Sequence, residues 1–286
     1  MKPGAESFGS VGEDGLIEML TFDLPASQQL LVGPGDDCAV IEIDNAARVG
    51  LLKTDCVIEN VHFLPDAEPE RIGWKAAARV VSDFAAMGGG QPEHALITLV
   101  APADRATAWA RGVYAGIRRC AEKFGFDIAG GETSQASICM ISVAMSGSIS
   151  RAELCLRTEA KIGDGIFVTG KLGGAVSSGK HLDFEPQIEI ARELVSKHRI
   201  HAMMDLSDGL AKDLPRLAKA SGVGFRLERD AVPRASSCSL ESALTEGEDY
   251  ELLFTSPDSN LDFPRIGDIV AADESEELTG GWDHYR

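Results

Sequence analysis

The sequence predicts an α+β protein of two domains. Two observations carry this: apolar periodicity runs through strands and two long helices as far as residue 150 and then restarts, and no low-complexity linker separates the two runs. A third points to a site between them, because short acidic clusters recur beside glycines and at strand ends in both halves.

In the first half, residues 1–150, apolar alternation over Cys38–Ile43 and Val49–Thr54 predicts two strands. Glu68–Met87 then carries Ile72, Ala76, Val80 and Phe84 at helical spacing, followed by a strand at His94–Val100. Ala103–Phe124 reads as a second long helix, Phe126–Ala129 as a short strand and Ser137–Ile149 as another. The second half, residues 151–286, opens with strand Gly165–Thr169 and the glycine-rich turn Gly170–Gly174. Helix Pro186–His198, strand His201–Asp205 and helix Leu210–Ser221 follow, with strands at Gly224–Glu228, Tyr250–Thr255 and Ile266–Ala271. Halves joined without a linker are expected to pack closely and enclose a cleft.

A chain of 286 residues with 44% hydrophobic content suffices for two such cores. No apolar run reaches the roughly 20 residues that span a bilayer, and Met1–Ser10 lacks signal-peptide character, so a cytoplasmic protein is expected. The net charge of −18 opposes binding to nucleic acid or an anionic membrane. It also means that a polyanionic substrate would need divalent metal to offset the surrounding carboxylates. Six cysteines without a CxxC pair exclude a zinc ribbon and read as reduced, small apolar residues.

The acidic clusters are Gly35-Asp36-Asp37, Lys53-Thr54-Asp55, Ser82-Asp83, Gly130-Gly131-Glu132-Thr133 and Asp205-Leu206-Ser207-Asp208-Gly209. Any one alone is compatible with an ordinary turn. Asp83 differs, since its helix is otherwise Ala, Val, Met and Phe, and a buried carboxylate there requires a metal, a cation or a hydrogen-bond partner. Lys75 and Arg79, on the same helix, are candidate partners, and an N-cap or exposed position for Asp83 is the alternative. There is no GxxxxGK[ST] and no protein-kinase signature, so phosphate would be held by metal, backbone amides and a few basic residues.

Taken in order, GPGDDCAV (33–40), KTDCVIENVHF (53–63), WKAAARVVSDFAAMGG (74–89), AGGETS (129–134), LRTEAKIGDGIFVTGKLG (156–173), MMDLSDGL (203–210), EGEDYELLF (246–254) and GWDHY (281–285) resemble the thiamine-monophosphate kinase family. That family is part of the aminoimidazole ribonucleotide synthetase-like superfamily. The resemblance implies two α+β domains, the first forming a homodimer interface, with ATP in the cleft between domains. It implies direct in-line transfer from ATP to thiamine monophosphate with Mg2+. By motif position Asp37, Thr54, Asp55, Asp83, Glu132, Asp205 and Asp208 would hold metal. Tyr114, Gly131, Glu132, Arg157 and Ser207 would contact the nucleotide, and His62, Glu248 and Trp282 the thiamine phosphate. Hard oxygen ligands suit magnesium, and an aromatic such as Trp282 can cover a cationic thiazolium. Without the motif, His62 would read as a strand-end histidine and Trp282 as a tail residue packed on the surface.

The chain departs from the family pattern at Glu132, where Asp is usual, at Lys53, where a hydroxyl is usual, and at Glu246, where a second Gly is usual. Lys53 would then supply positive charge beside the metal ligands. Two alternatives remain at this stage: another ATP-dependent enzyme of the superfamily, or a nucleotide-binding regulator with impaired turnover, which Glu132 and Lys53 would favour.

Overall fold

The computed structural model describes residues 7–43, 47–236 and 238–285. The first half runs α1 (Phe8–Thr21), β1 (Leu30–Val32), β2 (Ala39–Glu42), β3 (Arg48–Ile58), α2 (Pro69–Ala86), β4 (Gln91–Ala101), α3 (Thr107–Phe124), β5 (Asp127–Gln135) and β6 (Met140–Ser150). Its six strands form one sheet in the order β1-β2-β3-β6-β4-β5. All neighbours are antiparallel except β4 and β5.

The second half runs β7 (Gly165–Val168), α4 (Ala175–Ser178), α5 (Ile188–Lys197), β8 (Ala202–Asp205), α6 (Leu210–Ser221), β9 (Gly224–Leu227), α7 (Leu240–Thr245), β10 (Leu252–Ser256) and β11 (Arg265–Val270). Its sheet is antiparallel throughout, in the order β8-β10-β7-β11-β9.

Helix α2 is the keystone. It packs on α3, on β3 and β6 of the first sheet, and on α5 and β8 of the second half. Fourteen of its eighteen residues are buried, so every polar group on it must find a partner inside the protein. Its close crossing with α3 depends on two glycines. A Cβ at Gly73 would stand 1.8 Å from the Val113 carbonyl oxygen, and one at Gly116 would stand 1.8 Å from that of Glu70. The largest apolar core joins the halves: Leu51, Phe84, Ile97 and Val143 share it with Phe184, Ile188, Leu252 and Phe254. A smaller core lies wholly in the second half, around Ile166, Leu214, Leu217 and Ile269.

Several elements differ from expectation. β5 continues to Gln135 because Gly130-Gly131-Glu132-Thr133 extends the pairing alongside β4, although so polar and glycine-rich a segment shows no apolar alternation. Helix α1 was not expected. Its capping box pairs Ser7 with Ser10, and its acids pair with α6, Glu13 with Lys212 at 2.7 Å and Asp14 with Arg216. None of the six cysteines forms a disulfide.

Candidate active site

Lys75, Arg79 and Asp83 stand four residues apart on α2 and therefore share one face, with about 6 Å of axial rise between successive members. At the Asp83 end, Asp37 from the turn before β2 and Asp205 from the end of β8 converge with it. One carboxylate oxygen from each lies within 4.8 Å of the others, and all three residues are buried. Ser82 Oγ donates to Asp205 Oδ2 at 2.6 Å. Arg157 pairs with Asp37 Oδ1, and its backbone N–H donates to Asp36 Oδ2 at 3.1 Å. Asp83 pairs neither with Lys75 nor with Arg79. Its partner is Lys53 of β3, whose Nζ lies 2.7 Å from Asp83 Oδ1.

The electrostatics follow from this crowding. Burial, then the Asp37 charge, pushes Asp205 up to about 7. Burial raises Asp83 well above the usual carboxylate range despite the opposing Lys53 ammonium. Asp55 goes the other way: burial alone would raise it, but Lys53 and Arg79 bring it below its ordinary value. Asp37 Oδ2 is buried with no hydrogen-bond partner. An orphaned carboxylate oxygen among three acids is the signature of a set suited to a hard divalent cation.

At the Lys75 end a cavity of about 450 Å³ opens between the halves, lined by His62, Lys75, Arg79, Ser207, Asp208, Glu248 and Trp282 among others. Lys75 is fully buried; its Nζ donates to the His62 carbonyl at 2.7 Å and pairs with Glu248. Burial lowers it to about 8, with Glu248 pulling the other way. His62 Nδ1 accepts a hydrogen bond from the Ile58 amide at 3.0 Å. Burial, with the Arg79 and Lys75 charges, lowers this ring to about 3, so it is neutral near pH 7. Glu248 and Tyr250 adopt φ of 71° and 53°, a left-handed geometry disfavoured for side chains of this size. The turn is secured by Glu248 and Tyr250 amides donating to the Ser207 and Leu206 carbonyls, both at 2.8 Å. Strain of this kind collects where a side chain must be held at a site. Trp282, half-exposed, is fixed by its amide donating to the Asp208 carbonyl at 2.9 Å.

The structure thus brings together Asp37, Asp55, Asp83, Asp205 and Arg157 at one end, and His62, Ser207, Glu248 and Trp282 at the other. Other expected residues lie elsewhere in the single chain. Asp208 lines the cavity and is held by Arg216 at 2.6 Å and Lys212 at 3.3 Å, outside the carboxylate group. Thr54 stands opposite Ala144 on the open face of the first sheet, its hydroxyl 3.5 Å from Ser142 Oγ, because strand alternation turns it away from Lys53 and Asp55. Glu132 is exposed on edge strand β5, opposite Thr98. Three strand intervals, about 14 Å, separate β5 from β3. Gly131 lies beside it, where a Cβ would meet the Ile97 carbonyl oxygen at 1.9 Å. Tyr114 packs partly buried on α3. Thr54, Glu132 and Asp208 thus stand outside the group formed by Asp37, Asp83 and Asp205.

Two family models match the chain: AIR synthase related protein, N-terminal domain, over residues 35–149, and its C-terminal domain over residues 160–272. A thiamine-monophosphate kinase of Rhodopirellula baltica is 37% identical over 270 residues, covering 85% of this chain and 84% of the relative. The chain belongs to the thiamine-monophosphate kinase family. The Aquifex aeolicus member is 33% identical, covering 96% of this chain and 98% of that one. A solved structure described as AaThiL complexed with AMPPCP and TMP superposes with a TM-score of 0.87 at 31% identity, covering 98% of this chain and 99% of that chain. No helix among the described residues is long and apolar enough to cross a membrane.

Within this thiamine-monophosphate kinase fold, the cavity roles of Lys75 and Arg79 were missed from sequence. Their spacing of eight and four residues from Asp83 is the available signal, and in sequence it points only to ion-pair partners for that residue.

Proposed function

We propose that this chain transfers the γ-phosphoryl group of ATP to thiamine monophosphate, yielding thiamine diphosphate and ADP. The observation that carries the proposal is the single face of α2 that joins a carboxylate group at Asp83 to a cavity at Lys75 lined by His62, Glu248 and Trp282. The solved structure described as AaThiL complexed with AMPPCP and TMP supports both substrates. Trp282 and the acidic cavity wall suit a cationic thiazolium. Asp37, Asp55, Asp83 and Asp205 would hold Mg2+, and the orphaned Asp37 oxygen is what favours it. When bound, Mg2+ supplies neutralisation of the charge that accumulates between two phosphates. Arg157, fixed beside Asp37, and Ser207, on the cavity wall, would contact the nucleotide.

We further propose that two chains pair through the open face of the first sheet, which exposes Leu52 and Leu96 beside Thr54. The reading is supported by Glu132 and Gly131 lying on edge strand β5, three strand intervals from β3 of their own chain; pairing would offer them to the site of the other.

The test is to incubate the protein with Mg2+, ATP and a panel of phosphorylated metabolites while following ADP and the doubly phosphorylated products. Thiamine diphosphate should form in step with ADP. ADP release with no thiamine diphosphate, or with faster phosphorylation of another acceptor, would refute the assignment.

A further inference from the structure

The acceptor assigned above carries opposite charges, a thiazolium cation and a phosphate, so its cavity must offer both an anionic and a cationic wall. The anionic side is plain, with Asp208, Glu246 and Glu248 all lining it. The cationic side is scarcer. Lys75 is already committed to Glu248 and to the His62 carbonyl. His62 uses Nδ1 to accept the Ile58 amide.

Arg79 remains. It makes no salt bridge within 4.0 Å among the described residues, unlike Lys75 beside it. Its Nη1 donates to the Cys56 carbonyl at 2.8 Å, Nε is buried with no partner, and Nη2 makes none of the described hydrogen bonds. A guanidinium with unmet donors in the interior is costly unless something arrives to accept them. Its place on α2 is equally informative. It sits one turn from Asp83 at the carboxylate end and one turn from Lys75 at the cavity end, which is where an acceptor phosphate must lie to face the donor nucleotide.

We propose that Arg79 is a specificity-determining residue of this kinase: it receives the phosphate of the acceptor through its guanidinium, and so distinguishes thiamine monophosphate from unphosphorylated thiamine. A planar guanidinium matches phosphate with paired hydrogen bonds, and a lysine does so only as a point charge. The inference rests on thiamine monophosphate being the acceptor.

Titration calorimetry with two ligands, thiamine monophosphate and thiamine, tests it on the full chain. Wild type should bind the monophosphate more tightly. Arg79→Gln should lose about tenfold or more of that affinity while its affinity for thiamine stays within about twofold, and Arg79→Lys should recover part of the loss. In turnover, the KM for thiamine monophosphate should rise in Arg79→Gln and the KM for ATP should not. Equal loss for both ligands would show that the side chain only supports the cavity, and unchanged monophosphate affinity would show that the phosphate lies elsewhere; either overturns the inference alone. A wild type that binds neither ligand but phosphorylates a different acceptor would overturn the acceptor assignment and this inference with it.

Discussion

Lys53 places an ammonium 2.7 Å from Asp83, in a group of acids where the family usually has a hydroxyl. It acts as a resident counter-charge. Lys53→Thr should therefore destabilise the protein in EDTA by about 2–3 kcal/mol, below the about 3–5 of a fully buried pair because the lysine is partly exposed. Mg2+ should raise the melting temperature of this variant more than that of wild type, as thermal melts with and without the ion would show. Trp282→Ala should raise the KM for thiamine monophosphate several-fold more than that for ATP, since the residue lines the cavity assigned to the acceptor and not the Asp37–Asp83–Asp205 group. His62 gives a pH prediction. It is buried among Arg79, Lys75, His284 and Asp55, and its folded value of about 3 lies below the ordinary 6.5. The unfolded chain takes up that proton first, so stability present above pH 6.5 is lost as pH falls toward 3. Denaturant titrations of His62→Gln should show a shallower loss over that window.

At the scale of elements, α2 sets the geometry because three site residues share its face and its position is fixed by contact with α3. The contact is backbone to backbone at Gly73 and Gly116, leaving no room for a methyl group. Gly73→Ala or Gly116→Ala should cost about 1–3 kcal/mol or more, because helix must move against helix rather than a flexible side chain yielding. Activity should fall more than stability alone explains, since a shift of α2 near 1 Å displaces Lys75, Arg79 and Asp83 together. Chemical denaturation and steady-state rates on the same preparations would check both; a folded variant with full activity would show that the site tolerates movement of the helix.

At the scale of the molecule, the separation of Glu132 from Asp83 within one chain decides a test of the homodimer. If Glu132 serves the partner's carboxylate group, Asp83→Asn and Glu132→Gln are each inactive alone. Subunit exchange between them then restores one complete site in each mixed dimer, roughly a quarter of the wild-type rate at equal mixing. No recovery, with exchange verified by mass, would place Glu132 in its own chain's site, and a Glu132→Gln variant active alone would place it outside any site.

The amino-acid pattern by itself determined the two α+β halves, most strands and the long helices, because apolar periodicity records which face each element buries. Helix α6 falls on the expected residues, Leu210–Ser221. Asp83 was legible too, since a lone acid in an otherwise apolar helix demands a partner. Polar segments were not: β5 beyond Ala129 extends through pairing with β4 that glycines and hydroxyls do not announce. Which acids meet was decided only in three dimensions. Asp37, Asp83 and Asp205 lie on separate elements and converge because β8 of the second half packs against α2 of the first. Thr54, beside Lys53 in sequence, falls on the opposite face because successive strand residues alternate sides. Arg79 gained its meaning the same way, for only the packed cavity shows Lys75 already committed to Glu248 and the Arg79 guanidinium without an ion pair within 4.0 Å among the described residues.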